Sequence, residues 1–270
     1  MTQHNQSHAY RIVQLSDSHL FANEDGKLLG MNTRESCTKV LDLIHEQNSK
    51  IDLILVTGDV TQDGSAAAYQ FLEDKLKEFP APKLWLPGNH DRVDVMPSLL
   101  IDSEDLLAPI TFRLGNWLWI MLDSVIPGKV PGRLTEASLK LLADILQTTD
   151  APYIAVCLHH HPFDLGSKWL DTVGLKNPEE FWPLLENDKR VKMVIWGHVH
   201  QEHYSQRGHI TCMSVPSTCV QFKPQSQEFS VDSLLPGYRS FNVYNDGRFN
   251  SHISRVEHMT FEVDYSVKGY

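Results

Sequence analysis

The chain has 270 residues, of which 41% are hydrophobic and 21% are charged. It is therefore long enough to bury a full core, and disordered, collagen-like and coiled-coil classes are excluded. The 24 basic and 34 acidic residues give a formal net charge of −10, which argues against long nucleic acid as a partner because such binding depends on many Lys and Arg contacts to phosphate. No apolar run approaches the ~20 residues of a membrane-spanning helix.

The N-terminus and the cysteines indicate the compartment. Residues 1–10 have neither the basic start nor the apolar stretch of a secretory signal. The four cysteines lack the spacing of a zinc knuckle or a redox motif. They are Cys37, Cys157, Cys212 and Cys219. We therefore expect a cytoplasmic protein with reduced thiols.

Three apolar, β-branched runs in the first ninety residues each end in a polar cluster. They predict strands over 11–16, 51–57 and 83–87. Helical apolar spacing lies between these strands and predicts one helix capped by Thr33 and another over 66–79. The alternation of strand and helix indicates an α/β fold.

Further elements follow along the chain. Gly115-Asn116 separates two apolar runs, 110–114 and 117–122, and predicts a hairpin. A helix capped by Thr135 comes next, followed by two buried strands. These strands are predicted over 153–158 and 191–196. The last seventy residues alternate in short segments and predict an antiparallel sheet. The segments lie near 209–215, 238–244 and 248–255.

Metal-binding side chains follow the carboxyl ends of five predicted strands. The clusters are Asp17-Ser18-His19, Gly58-Asp59, Gly88-Asn89-His90-Asp91, His159-His160-His161-Pro162 and Gly197-His198-Val199-His200. Because the carboxyl ends of strands border one crevice in an open α/β sheet, we expect these groups to converge. Two pairs, Asp17 with His19 and His198 with His200, have the i, i+2 spacing that places side chains on one face of a strand. The preceding glycines allow the chain to turn sharply off each strand.

The side chains in these clusters favour a pair of ions. Carboxylates, an amide and several imidazoles suit Mn²⁺, Fe²⁺ or Zn²⁺ but are too rich in oxygen for a structural zinc site. Seven ligands are more than one tetrahedral ion can bind. Enzymes that catalyse in-line attack at phosphorus commonly use a pair of metal ions. An ordinary turn explains any one cluster alone, but turn chemistry does not require ligands at five strand ends. The sequence therefore predicts hydrolysis of a phosphate ester.

The order of these motifs resembles the signature of the calcineurin-like metallophosphoesterases. D-x-H, G-D, G-N-H-D, a strand ending in His and G-H-x-H occur in that order from Asp17 to His200. The resemblance implies a four-layer αββα sandwich of two mixed sheets flanked by helices. No internal repeat, low-complexity tract or Ser/Gly linker divides the sequence, which predicts a single domain over 1–270, with a metal-binding core over 10–200 and C-terminal antiparallel strands and a loop over 201–270.

The same resemblance implies roles for individual residues. The first metal would be held by Asp17, His19, Asp59 and His200. Asp59 would bridge to the second metal, whose other ligands would be Asn89, His159 and His198. Substrate contacts are implied for His19, Asp59, Asn89, His90, His159 and His200, and catalytic roles for Asn89 and His90. In the triple histidine, the apolar run 154–158 selects His159 and the spacing to Pro162 selects His160. Both stay candidates, with His159 preferred.

Segments 15–32, 216–224 and 236–239 resemble the bacterial 3′,5′-cyclic-AMP phosphodiesterases, the class III cyclic nucleotide phosphodiesterases. This resemblance implies hydrolysis of cyclic AMP to 5′-AMP by in-line attack of a hydroxide that bridges two divalent ions, Fe²⁺ or Mn²⁺, with Zn²⁺ as a further candidate. For segment 216–224 the residues themselves predict only a loop, and any substrate role there is implied by the resemblance.

The expected partner is a small cyclic nucleotide, without long nucleic acid or a membrane, and the expected state is a monomer or homodimer. Within the mechanism, His90 is interpreted as a phosphate contact or as the proton donor to the 3′ oxygen. Asp91 either orients His90 or has a capping or surface role. Two alternative functions stay open. One is a phosphodiesterase for another small diester, such as a glycerophosphodiester or a nucleotide-lipid, and the other is a non-catalytic interaction module on this fold.

Overall fold

Two six-stranded sheets form the centre of the structure, a computed structural model that describes residues 9–96, 106–107, 109–264 and 266. The prediction that residues 1–10 lack a secretory signal falls mostly outside the described residues, which include only the last two of this segment. No helix among the described residues combines the length and apolar character needed to cross a membrane.

The first sheet mixes parallel and antiparallel pairs. Its strands, in spatial order, are β14 (Phe249–Arg255), β13 (Gly237–Tyr244), β1 (Ala9–Leu15), β4 (Leu53–Thr57), β5 (Lys83–Leu86) and β6 (Leu106–Leu107). Four neighbouring strands, β1, β4, β5 and β6, are parallel to one another. Strand β13 pairs antiparallel with both β1 and β14. A separate two-stranded ladder joins β2 (Lys27–Leu28) to β3 (Met31–Asn32).

The second sheet has the same mixed character. Its strands, in spatial order, are β11 (His203–Arg207), β12 (Ile210–Ser214), β10 (Val191–Trp196), β9 (Tyr153–Leu158), β8 (Trp117–Met121) and β7 (Ile110–Leu114). The four central strands are parallel, and the two edge strands β11 and β7 run antiparallel to their neighbours.

Helices cover the outer face of each sheet. α1 (Thr33–Gln47) and α2 (Ala66–Leu76) bury their apolar faces with the outer side chains of the first sheet. α3 (Glu136–Thr148) and α5 (Pro178–Glu186) do the same on the second sheet, and the short α4 (Lys168–Asp171) contributes Leu170 to that core.

Period-two alternation along the strands explains the four layers. On β4, Ile54 and Val56 join the core beneath the helices, whereas Leu53 and Leu55 join the core between the sheets. Successive side chains of a strand point to opposite faces, so a strand that is apolar at every position needs a partner layer on both sides. The predicted αββα sandwich is confirmed.

Of the two predicted helix caps, one is confirmed and one is wrong. The Thr135 cap is confirmed, since its hydroxyl accepts a hydrogen bond from the Ser138 N–H at 3.0 Å. The Thr33 cap is wrong: Asn32 caps that helix by accepting from the Glu35 N–H at 2.9 Å, and Thr33 is its first residue. Side-chain oxygens of both types suit a cap, and the extended backbone at Asn32 decided between them.

The prediction of one C-terminal antiparallel sheet is also wrong. β11 and β12 join the second sheet, where β12 lies parallel to β10, while β13 and β14 join the first. Alternation in a sequence tells which side chains share a face of a strand, but it does not tell which strand is its neighbour. The helix over Pro178–Glu186, which contains Pro183 in its interior, was not predicted.

Candidate metal centre

The five polar clusters meet where the carboxyl ends of the two sheets come together. Within the first sheet, the Asp17 N–H donates to the Gly58 carbonyl at 2.9 Å and the His19 N–H donates to the Asp59 carbonyl at 3.0 Å. Between the sheets, the His198 N–H donates to both carboxylate oxygens of Asp17 at 3.0 and 3.1 Å. These hydrogen bonds join two residues that lie 181 positions apart in the sequence.

Five of the predicted ligands have left-handed backbones. Their φ angles are 56° at Asp17, 45° at His19, 51° at Asp59, 66° at His198 and 46° at His200. Such φ values are uncommon for residues other than glycine and cluster at functional sites. The i, i+2 pairs therefore converge for a reason other than the one predicted. β1 ends at Leu15 and β10 ends at Trp196, so neither pair lies on an extended strand.

The glycines beside these ligands provide space for close approach. A Cβ atom on Gly88 would lie 2.2 Å from Asp59 Oδ1, and one on Gly197 would lie 2.7 Å from the Thr57 carbonyl oxygen. Of the three glycines that precede predicted ligands, only Gly58 has a positive φ, 95°. The prediction that glycine flexibility allows a sharp turn is thus confirmed only for Gly58. Gly88 and Gly197 are required because a side chain there would clash with its neighbours.

Each of four buried imidazoles has one ring nitrogen against an oxygen atom. The pairs are His19 Nδ1 with Gln62 Oε1 at 2.7 Å, His159 Nδ1 with the Thr57 carbonyl at 2.7 Å, His198 Nε2 with the Val173 carbonyl at 3.1 Å and His200 Nδ1 with the Val220 carbonyl at 2.8 Å. A ring that donates through one nitrogen presents a lone pair on the other, which is how metal-binding histidines are oriented. None of these four oxygen partners was predicted, because they are distant in sequence or belong to the backbone.

Several polar atoms of the centre are buried without a hydrogen bond from any described residue. They are Asp59 Oδ2, Asn89 Oδ1, His159 Nε2 and His198 Nδ1. Asp59 Oδ2 lies 3.2 Å from His159 Nε2 and 3.8 Å from His19 Nε2. Buried polar atoms are rarely left without partners because their desolvation is costly. The lone pairs of Asp59, His159 and His19, which approach one another in this way, fit a divalent cation.

A second convergence involves His200. Its Nε2 lies 3.5 Å from Asp17 Oδ1 and 3.0 Å from His19 Nε2. His200 Nδ1 faces a backbone carbonyl and therefore carries the proton, so a lone pair of His200 points toward His19. Asp17, His19 and His200 form one of four groups of three side chains, among the residues described, whose ligand atoms lie within 4.8 Å of one another.

Burial sets the protonation states of these groups. It lowers the pKa of His200 to about 3 against the opposing effects of the Val220 carbonyl and Asp59, which keeps the imidazole in the neutral form that coordinates metals. Burial also raises the pKa of Asp17 to about 8, and the neighbouring Asp59 carboxylate raises it further. A bound cation reverses such a shift because it stabilises the carboxylate.

The three consecutive histidines at 159–161 make different contacts. Only His159 directs a ring nitrogen to Asp59. His160 has both ring nitrogens engaged, by Ser124 Oγ at 2.8 Å and by the Val130 carbonyl at 3.0 Å, although one of them lies within 4.8 Å of the ligand atoms of His159 and His198. His161 stacks on His198, with 5.5 Å between ring centroids and 19° between ring planes.

Asp91 braces the backbone that carries Asp59 and Asn89. Its carboxylate accepts hydrogen bonds from the N–H groups of Val60 (3.1 Å), Thr61 (3.2 Å) and Gly88 (2.8 Å) and from the hydroxyl of Tyr69 (3.0 Å). It therefore ties the loop after β4 to the loop after β5. Of the roles considered from the sequence, neither orientation of the His90 ring nor a surface position describes these contacts, and Asp91 is buried.

Comparisons with known proteins agree with this geometry. The family model described as Calcineurin-like phosphoesterase matches residues 10–202. The chain belongs to this family. The family predicted from the motifs is thus confirmed.

Relatives and solved structures extend the comparison. Over 96% of its length, this calcineurin-like phosphoesterase is 44% identical to a Pseudomonas aeruginosa protein named 3′,5′-cyclic adenosine monophosphate phosphodiesterase CpdA, of which 94% is covered. The Escherichia coli (strain K12) protein of that name is 38% identical at the same coverage of both chains. The fold is similar to that of a dimetal phosphatase from Danio rerio, with a TM-score of 0.62 and 14% identity over 92% of this chain and 99% of the other.

Removal of the Asp91 brace is predicted to destabilise the protein. In Asp91→Ala, three buried N–H groups lose their acceptor, so we expect the free energy of unfolding to fall by about 3–5 kcal/mol. Denaturant unfolding followed by circular dichroism measures this change.

Asp94→Ala is the matched control, because Asp94 is exposed and pairs on the surface with Arg92. Its stability should stay close to wild type. Equal losses in the two variants would contradict the bracing role of Asp91.

Proposed function

We propose that this chain is a metal-dependent phosphodiesterase that hydrolyses 3′,5′-cyclic AMP to 5′-AMP. The observation that carries the proposal is the 44% identity, over 96% of the chain, to a relative named for this activity. The site supports it, because six of the seven predicted ligands belong to groups whose ligand atoms lie within 4.8 Å of one another, namely Asp17, His19, Asp59, His159, His198 and His200.

The geometry supports two cation sites that share Asp59. Asp17, His19, Asp59 and His200 would hold one cation, and Asp59, Asn89, His159 and His198 would hold the other. We prefer His159 to His160 because both ring nitrogens of His160 are already hydrogen-bonded. The mixed nitrogen and oxygen donors favour Mn²⁺ or Fe²⁺, with Zn²⁺ as a further candidate. When bound, such a pair supplies positive charge that offsets the phosphodiester and acidifies a water for attack.

Asn89 and His90 are the proposed catalytic side chains. The neutral amide of Asn89 would contribute a ligand oxygen without neutralising positive charge, which leaves that charge for the substrate. The His90 backbone N–H donates to Asp59 Oδ1 at 2.8 Å, and its half-buried ring packs edge-on against His19 with 5.0 Å between centroids. From this position His90 would contact the phosphate or protonate the departing 3′ oxygen, a task that suits an imidazole near neutral pH.

We propose that residues 1–270 work as one domain. β13 lies outside the residues matched by the family, yet it pairs with β1 over six residue pairs, from Ala9↔Tyr244 to Gln14↔Arg239. The strand that leads to Asp17 is thus held on one side by the C-terminal region. We retain the cytoplasmic location and the monomeric or homodimeric state as proposals.

A substrate panel tests the proposed activity. The purified chain loaded with Mn²⁺ is expected to convert cyclic AMP to 5′-AMP, to lose activity with a chelator and to recover it when Mn²⁺ returns. Cyclic GMP, a glycerophosphodiester and a nucleotide-lipid diphosphate complete the panel, with products separated by chromatography. Release of 3′-AMP, or clear preference for a different diester, would contradict the proposal.

Asp59→Ala tests the shared ligand. Loss of a carboxylate common to both cations should lower kcat/KM by more than about 100-fold, for cyclic AMP and for an aryl phosphodiester alike, because changes outside the ligand sphere already cost 10–100-fold. Asp144→Ala on α3 removes an exposed carboxylate that pairs only with Lys140 in the described residues and should leave activity unchanged. Full activity of Asp59→Ala would reject the two-cation arrangement.

His90→Ala separates catalysis from metal binding. We expect kcat to fall by about 10²–10⁴-fold, the range for loss of a general acid, while elemental analysis still finds both metals. His45→Ala on α1, which packs against Phe79, serves as the control and should retain wild-type kcat. Loss of metal from His90→Ala would instead identify His90 as a ligand.

A further inference from the structure

Residues 217–222 form a buried segment behind Asp17 and His200, here called the ligand strap. All six residues are at most 1% exposed, and all lie beyond the stretch matched by the family. The residues of this segment predict only a loop, with a substrate role implied by resemblance. The contacts of the segment point to a different role.

One end of the strap fixes the backbone at Asp17. The Ser217 hydroxyl donates to the Asp17 carbonyl oxygen at 2.6 Å and accepts from the Cys219 N–H at 2.8 Å. The Thr218 N–H donates to the Ser16 carbonyl oxygen at 3.1 Å. These bonds lie at the point where Asp17 adopts its left-handed backbone, with φ of 56°.

The other end of the strap fixes His200 in three ways. The Val220 carbonyl accepts the Nδ1 proton at 2.8 Å, and the Phe222 N–H donates to the His200 carbonyl at 3.1 Å. The Phe222 ring stacks flat on the imidazole, with 4.1 Å between centroids and 7° between planes. The tautomer, the backbone and the ring plane of His200 are thereby all set by the strap.

The strap is held in shape by hydrogen bonds of its own. The buried Gln221 amide donates to the carbonyls of Ser217 and Cys219, both at 2.9 Å. Arg255 donates to Gln221 Oε1 at 3.2 Å. Such internal bonds keep both ends of the strap at a fixed separation, so Asp17 and His200 are positioned together.

The rings of His159 and His198 and the loop of Asn89, proposed for the other cation, are held by elements other than the strap. His159 is held by the Thr57 carbonyl at the end of β4, and His198 by the Val173 carbonyl after α4. Asn89 lies in the loop that Asp91 ties through Gly88. A change in the strap should therefore weaken the binding of one ion more than the binding of the other.

We propose that the ligand strap sets the affinity for the cation held by Asp17 and His200, and that Phe222 acts as a positioning residue through the face of the His200 ring. The inference rests on the two-cation site of the proposed function. It assigns the segment to metal affinity, in place of the substrate role implied by resemblance.

The test measures Mn²⁺ binding to chelator-treated protein by calorimetric titration, with elemental analysis of the bound metal after dialysis. Phe222→Leu is expected to weaken one of two binding steps by about 10–100-fold, the usual effect of losing a group that orients a metal ligand, and to leave the other step unchanged. Ser217→Ala, which releases the opposite end of the strap, should weaken the same step.

Phe229→Leu is the matched control. Phe229 packs against Phe222 and Trp169, so this variant alters the same aromatic cluster at one remove from His200 and should bind both ions as wild type does. Circular dichroism establishes that each variant is folded. If Phe222→Leu does not fold, Ser217→Ala decides the outcome.

Three results would overturn the inference: wild-type binding of both ions by the folded Phe222→Leu and Ser217→Ala variants, equal weakening of both steps, or fewer than two binding steps in the wild-type chain. Failure of the proposed substrate is a separate result. A chain that binds two Mn²⁺ ions but does not hydrolyse cyclic AMP would reject the substrate and leave the role of the strap intact.

Discussion

The buried carboxylate of Asp59 is the group on which the rest of the centre depends. Oδ1 accepts a hydrogen bond from the His90 N–H at 2.8 Å, whereas Oδ2 lies near ring nitrogens of His159 and His19 and carries no hydrogen bond from the described residues. A charged oxygen in this state is costly without a partner of opposite sign. Convergence of ligand atoms on one such carboxylate explains why the site fits cations.

The two-sheet architecture creates this convergence. Asp17, Asp59 and Asn89 follow strands of the first sheet, and His159 and His198 follow strands of the second. The centre therefore exists only when the sheets pack, and that packing is stabilised by the apolar core between them, where Trp119 meets Phe241. Folding energy from the core is what offsets the left-handed backbones at the ligands.

A surrounding layer of hydrogen bonds prepares the ligands. Carbonyl oxygens orient His159, His198 and His200, and the Asp91 carboxylate and the ligand strap fix the backbones beside them. Side chains held in this way lose little conformational entropy when an ion binds, which is the physical advantage of a preformed site. Phosphodiester hydrolysis at such a centre needs no large basic surface, consistent with the net charge of −10.

The sequence by itself determined the α/β class, the Thr135 cap, the five strand-end clusters and the family, because period, turn chemistry and motif spacing are local patterns. Only the tertiary structure decided that β12 lies parallel to β10, that His160 turns away to Ser124 and Val130, and that residues 217–222 hold Asp17 and His200. Those outcomes depend on hydrogen bonds and ring contacts between residues far apart in the chain. No local pattern encodes such pairings, since they form only after the two sheets pack against each other.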